Sequence, residues 1–292
     1  MMFNKICIIG VGLIGGSIAL AARKNNLCSN IVGLGRPESR DNLIYAQTQG
    51  IINNYYSDIE AAVEDADCII IATPVGATEA ILDQLKNYWS DTAIYTDVGS
   101  TKVNVVEAAE KVFGFIPANF VPAHPIAGAE QGGAKAATSE LFTGKRLIIT
   151  PTQETLPEAL ALIKDFWQML GVSISIMEIE RHDAVLAATS HLPHVLAFAL
   201  VDLLARKDEQ NEIFKYAAGG FKDFTRIASS DPGMWLDICL ANKNEIVKLI
   251  QQFQGEMENI TQILEKNDRQ QLFDIFSNAK NARQRFLKLY QQ

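Results

Sequence analysis

The stretch Ile6-Cys7-Ile8-Ile9-Gly10-Val11-Gly12-Leu13-Ile14-Gly15-Gly16-Ser17 decides the fold class of this chain. Its leading apolar residues stop at a glycine, as a strand buried on both faces does. Gly10, Gly12 and Gly15 then keep the G-x-G-x-x-G spacing, and an alanine-rich segment from Ser17 to Ala22 reads as a helix. Gly10 permits the tight turn out of the strand. Gly12 lets a pyrophosphate approach the backbone, and Gly15 lets the helix pack close to the strand. The free N–H groups of the helix start favour phosphate. The stretch therefore predicts dinucleotide binding, with Gly10, Gly12, Leu13, Ile14 and Gly15 lining the phosphates. Lys5 before the apolar run and Ala-Leu-Ala-Ala behind it imitate a signal peptide, but the glycine spacing and the strands that follow argue against one.

Length and composition set the outer bounds. A chain of 292 residues accommodates two domains, and 48% hydrophobic with 21% charged residues is the balance of a soluble globular protein. No apolar run reaches the roughly 18 residues of a membrane span without glycine or charge. The net charge of −8 favours neither nucleic acid nor an anionic membrane as partner, so an anionic substrate needs its own cationic pocket. Cys7, Cys28, Cys68 and Cys239 include no C-x-x-C pair. They read as reduced core thiols of a cytoplasmic protein, not as a disulfide frame or a zinc site.

Strand and helix patterns alternate as far as residue 178. The second strand, Ile31 to Leu34, ends at Gly35, where an NAD site carries an acidic residue for the ribose 2′-hydroxyl. Without that carboxylate, Arg36, Ser39 and Arg40 are free to bind a 2′-phosphate. NADP is therefore favoured, with NAD possible if Arg36 only stacks on the adenine. Further strands read at 68–72, which ends in Thr73-Pro74, and at 93–97, 146–150 and 172–176, with helices between. This is the pattern of an α/β doubly wound parallel sheet over 1–178. From Arg181 onward the strands stop. Segments 181–206, 209–218, 232–264 and 268–289 all read as helices, and 232–264 carries more apolar surface than one small helical domain can cover. Residues 179–292 are therefore expected to form an all-helical domain that makes a homodimer.

In such a sheet the reactive end lies past the carboxyl edge of the strands. Thr73-Pro74, Ser100-Thr101-Lys102 and His124-Pro125-Ile126-Ala127-Gly128 meet that description. Thr73 and Pro74 are read as cofactor contacts, and Ser100 and His124 converge near the nicotinamide. His124 suits proton acceptance from a hydroxyl as hydride leaves the same carbon. Ser100 orients that histidine, holds the hydroxyl, or caps the next helix. The remaining histidines are His182, His191 and His194. In S-H-L-P-H, Ser190 can cap a helix with Pro193 in its first turn, which aims His191 and His194 at a cleft. An i, i+3 histidine pair can share a metal, but no further ligands stand nearby, so no metal is expected. Arg226, close to the Gly219-Gly220 pair, offers a bidentate fork for a carboxylate, or else pairs with Asp223 at the surface.

Five motifs in this order, G-V-G-L-I-G-G-S (10–17), T-D-V-G-S-T-K (96–102), H-P-I-A-G-A-E (124–130), S-H-L-P-H (190–194) and G-G-F-K-D-F-T-R-I-A (219–228), span nearly the whole chain. Together they resemble the prephenate/arogenate (cyclohexadienyl) dehydrogenase family of tyrosine biosynthesis. The resemblance implies a Rossmann domain, a helical dimerisation domain, and oxidative decarboxylation of prephenate to 4-hydroxyphenylpyruvate or of arogenate to tyrosine. It implies that His124 is catalytic, that Ser100 assists it, that His194 and Arg226 contact substrate, and that Trp235 reaches the neighbouring subunit's site. Ala129 stands where some members carry a hydroxyl residue, which puts that contact in doubt. Neither a mutase segment in front nor a regulatory domain behind is expected. Two other readings compete: a hydroxyacid-type dehydrogenase, which calls for a catalytic lysine where 181–206 places histidines, and a non-catalytic nucleotide-sensing dimer.

Overall fold

Strand β1 (Phe3–Ile9) divides its side chains between two cores, as strict period-2 alternation requires. Ile6 and Ile8 enter one apolar cluster; Cys7 and Ile9 enter the other. Helix α1 (Leu13–Lys24) covers the first face. Strand β2 (Cys28–Leu34) pairs parallel with β1, and helix α2 (Arg40–Thr48) leads to the short edge strand β3 (Asn54–Tyr56). Helix α3 (Ile59–Val63) precedes β4 (Cys68–Ile71), whose four residues are all buried. Helix α4 (Thr78–Leu85), strand β5 (Ile94–Asp97), helix α5 (Val103–Phe113) and strand β6 (Phe120–Val121) complete a parallel sheet in the order β3-β2-β1-β4-β5-β6. The chain reverses direction across the sheet between β1 and β4, which is where doubly wound sheets bind nucleotides. Helices α3, α4 and α5 cover the second face. The computed structural model that shows this describes residues 1–129, 131–207 and 212–290. Glu130, the last residue of the H-P-I-A-G-A-E motif, and 209–211 of the expected helix 209–218 lie outside the described residues.

The strands expected to extend the sheet instead form a second, smaller one. Strand β7 (Ala123–Ile126) runs antiparallel to β8 (Arg146–Ile149), which pairs parallel with β9 (Ser173–Ile176). Helix α6 (Pro157–Met169) sends Ile163, Phe166 and Trp167 into the same cluster as Leu147 and Ile149. His124 is therefore a strand residue, opposite Ile148, and not part of a loop.

After β9 every regular element among the described residues is helical. Helix α7 (Ile179–Leu186) passes through a π turn, Ala187–His191, directly into α8 (Leu192–Lys207). The expected helix start at Ser190 does not occur, because the chain is already helical there. The resulting 29-residue helix contains an 18-residue stretch of mean hydropathy 1.7 and is, among the described residues, long and apolar enough to cross a membrane. The sequence reading missed it because Thr189, Ser190, His191 and His194 break the apolar run. Helix α9 (Glu212–Lys215) is short, and α10 (Gly219–Thr225) incorporates the Gly219-Gly220 pair instead of leaving it as a hinge. The expected helix 232–264 is two: α11 (Pro232–Ala241) and α12 (Lys243–Glu265), parted at Asn242; α13 (Arg269–Tyr290) follows. The chain divides into two compact units, 1–243 and 244–292.

Candidate active site

The glycine stretch behaves as its spacing requires. Gly10 has φ +96°, and a Cβ there would lie 2.7 Å from Ala72 O. A Cβ on Gly15 would lie 2.2 Å from Gly10 O, so α1 can start this close to β1 only without a side chain. Gly12, by contrast, has nothing within 4 Å of that position, which leaves room for a pyrophosphate against the backbone. Thr73, from the far side of the switch point, lies against Gly10, and its hydroxyl is buried without a partner among the described residues. Gly35 follows β2, with Arg36 and Arg40 exposed and Ser39 half-buried beyond it. A side chain at 35 would meet Leu43 at 3.0 Å. These residues fit a nicotinamide dinucleotide.

A buried ion pair sets the second part of the site. Asp97, at the end of β5, accepts the Gly99 N–H at 2.7 Å and the Ala123 N–H at 3.1 Å. Its carboxylate also holds the Nζ of Lys102, which is fully buried and donates to Ala123 O at 2.9 Å. Burial pushes the Lys102 pKa down, and the adjacent Asp97 opposes that shift. Burying two such ions costs several kcal/mol each unless their hydrogen bonds are satisfied, and here three elements supply the partners. The bonds join β5, the start of α5 and Ala123, and thereby fix the backbone of the next residue, His124.

His124 retains only 8% exposure. Its Nδ1 lies 2.9 Å from Nε2 of His182, on α7. His182 is fully buried, with Nδ1 2.7 Å from Asp183 Oδ1. Asp183 in turn accepts the Lys102 N–H at 2.8 Å and the Val103 N–H at 3.0 Å. Those two donors belong to the first turn of α5, so a residue of α7 caps α5 from across the fold. Desolvation holds His124 well below its usual 6.5, and the neighbouring His182, Lys102 and His191 push the same way. Burial also lowers His182, against the pull of Asp183. For Asp183, burial alone would raise the carboxyl. Its bonds from His182, Lys102 and Val103 outweigh this and leave it below the ordinary range. At neutral pH the two imidazoles are therefore uncharged and the carboxyl ionised.

The third part comes from the helices. Asn242 donates to Asp183 O at 2.8 Å and lies 3.1 Å from His191 Nδ1. His191 is only 1% exposed, so it does not face a cleft as the S-H-L-P-H pattern suggests. Burial holds its pKa at about 4. His194 is half-buried. Its Nδ1 donates to Ser190 O at 2.8 Å, and its ring stacks on Trp235 at 3.7 Å and 21°. Trp235 thus lies on the histidine of its own chain. Arg226 is exposed at the end of α10 and opens the turn Arg226–Ser229, which packs on α8. Its charge depresses His194, after the larger effect of burial. Ser100 is half-buried in the β5–α5 loop, and the cap position of α5 falls to Lys102 rather than to Ser100. Ala129 is exposed.

Sequence reasoning placed His124 but missed Asp97, Lys102, His182, Asp183 and Asn242 as parts of one network. The available signal was the adjacent His182-Asp183 pair, which directly precedes the apolar run 184–188.

The profile described as prephenate dehydrogenase, nucleotide-binding domain, matches residues 18–176, and that described as prephenate dehydrogenase, dimerization domain, matches 178–278. A prephenate dehydrogenase of Bacillus subtilis is 37% identical over 97% of this chain and 76% of its own length. A cyclohexadienyl dehydrogenase of Zymomonas mobilis is 33% identical over 97% of this chain and 96% of its own. The solved structure of A. aeolicus prephenate dehydrogenase, in complex with hydroxyphenyl propionate and NAD+, superposes with a TM-score of 0.90 at 35% identity. It covers 98% of this chain and 99% of its own. With the nucleotide-binding profile matching more than half of the chain and full-length relatives above 30% identity, this chain belongs to the prephenate dehydrogenase family.

Proposed function

We propose that this chain oxidatively decarboxylates prephenate to 4-hydroxyphenylpyruvate, and accepts arogenate in the same site, as a step of tyrosine biosynthesis. The observation that carries the reading is His124: uncharged, nearly buried, and bonded through Nδ1, so that Nε2 is its one ring nitrogen without a partner among the described residues. A nicotinamide dinucleotide held by Gly10, Gly12, Leu13, Ile14, Gly15, Thr73 and Pro74 supplies the hydride acceptor. His124 Nε2 takes the proton of the ring hydroxyl as that carbon loses hydride. The fork of Arg226 holds the ring carboxylate, which departs as carbon dioxide because aromatisation drives it. Ser100, His194 and Trp235 complete the substrate pocket, and the buried His191 supports it from behind.

NADP is the favoured cofactor and NAD the second. Gly35 offers no carboxylate to repel a 2′-phosphate, and Arg36, Ser39 and Arg40 stand beside it. Residues 1–178 form the dinucleotide-binding domain and 179–292 the substrate and dimerisation domain. Leu236, Leu240, Val247, Phe273 and Phe276 are exposed apolar residues that a second copy would cover. Four unpaired cysteines suit a cytoplasmic protein.

The test is the appearance of reduced nicotinamide on adding prephenate or arogenate with NAD or NADP. His124→Ala is expected to lower turnover by roughly 10² to 10⁴ with cofactor affinity little changed. Turnover within a few-fold of wild type makes His124 structural, and a hydroxyacid substrate in place of prephenate overturns the reading. A clear preference for NAD shows that Arg36 only stacks on the adenine.

A further inference from the structure

We propose that Asp183 and His182 are positioning residues that lock the tautomer of His124, so that Nδ1 keeps its proton and Nε2 is the basic nitrogen. The inference rests on the reading of His124 as the base, and it follows from which atoms can donate. Asp183 accepts two backbone N–H groups, one on each carboxylate oxygen, and its Oδ1 also faces His182 Nδ1 at 2.7 Å. An ionised carboxylate has no proton to give, so His182 Nδ1 donates. A neutral imidazole carries one proton, which leaves His182 Nε2 as an acceptor. The 2.9 Å contact to His124 Nδ1 therefore requires the proton to be on His124. That places the His124 lone pair on Nε2.

The direction matters because the opposite tautomer makes Nε2 a donor, unable to accept the hydroxyl proton. After proton transfer the same chain serves the product state. The imidazolium keeps its Nδ1–H bonded to an acceptor whose far side is tied to a carboxylate, so the new charge forms against an existing dipole instead of in an unsupported cavity. Burial depresses both imidazoles, which keeps them neutral and the tautomer argument in force at neutral pH. The charged groups around the ring are Lys102 with its partner Asp97, and Asp183 behind His182; His191 is the third buried imidazole. Because Asp183 also caps α5, the loop that carries Ser100 and the tautomer of His124 are set by one side chain.

The experiment uses the full-length protein labelled with nitrogen-15 at histidine. With four histidines, the His124 ring signals are those lost in His124→Gln. The expected spectrum shows His124 protonated at Nδ1 and bare at Nε2. A His124 ring protonated at Nε2 in the wild type overturns the proposal, and this readout needs no variant of His182. In kinetics, His182→Leu removes the acceptor. It is expected to lower kcat about a hundredfold with the Michaelis constant for prephenate within about threefold. His182→Gln, whose amide oxygen can accept from Nδ1, is expected to recover about tenfold of that loss. An unchanged kcat in a folded His182→Leu protein overturns the proposal. Failure of the wild type to oxidise prephenate at all is a different result. It sinks the functional reading and leaves the tautomer measurement standing.

Discussion

Arg226 is where charge geometry decides the outcome at the scale of one residue. It ends α10, opens the turn that packs on α8, and lies close enough to depress His194. On the proposed function, in a chain of net charge −8, a planar fork there is the cationic pocket that a dianionic substrate needs. Arg226→Lys keeps the charge and loses the bidentate fit. The Michaelis constant for prephenate is expected to rise about tenfold or more, since a charge-assisted pair is worth roughly 1.5–3 kcal/mol. Cofactor affinity should stay constant. Steady-state kinetics beside a cofactor titration checks this: unchanged substrate kinetics removes the carboxylate role, and weakened cofactor binding alone moves Arg226 to the dinucleotide side. Ser100 was legible as a candidate from its place after a strand, and so was His124, although it lies within β7 and is nearly buried. His182, Asp183 and Lys102 were not, because the bonds that join them into the site, His124 to His182 and Lys102 to Asp183, span 58 and 81 positions, and no local spacing encodes that.

At the scale of elements, the two glycines Gly12 and Gly15 separate folding from binding. A Cβ at 12 meets nothing within 4 Å, whereas one at 15 would lie 2.2 Å from Gly10 O and 2.8 Å from Ile8 Cγ2. Gly12→Ala is therefore expected to leave thermal stability intact and weaken dinucleotide binding at least tenfold. Gly15→Ala must push α1 off β1 and should cost about 1–3 kcal/mol of stability as well as binding. Calorimetry and a cofactor titration on both variants test the pair. Equal melting temperatures would show that α1 shifts freely, and undiminished binding by Gly12→Ala would place the phosphates elsewhere. The parallel sheet was legible because strands buried on both faces read as apolar runs. The second sheet was not, because strand pairing is a non-local choice. Helix boundaries failed at Ser190 and Asn242 for a related reason. The π turn Ala187–His191 lies directly before Pro193 and alters the hydrogen-bond ladder that Pro193 would otherwise interrupt. Asn242 leaves the helical path to bond Asp183 and His191.

Across the whole molecule, the unusual economy is that three of its four histidines, His124, His182 and His191, are buried and neutral in one network. That ties stability to pH with a definite sign. Above about pH 6.5 these rings are uncharged both folded and unfolded, so they add no slope. As pH falls through 6.5, the unfolded chain binds protons that the folded chain refuses, and stability falls. The loss continues until each folded group titrates. For His191, lowered from 6.5 to about 4, it amounts to about 3 kcal/mol by pH 4. Asp183 adds to the loss in the same direction at lower pH still, because its depressed carboxyl must be protonated. Since typical domains are stable by only about 5–15 kcal/mol, the fold should fail in mild acid. Denaturant unfolding at a series of pH values between 7.5 and 4 checks this, with the slope approaching three protons on the acid side. His191→Asn should reduce that slope by about one proton, provided the variant still folds at neutral pH. A stability that is flat between pH 7 and pH 5 would mean that these imidazoles take up protons in the folded state, and the neutral network assigned to His124, His182 and His191 would then be wrong.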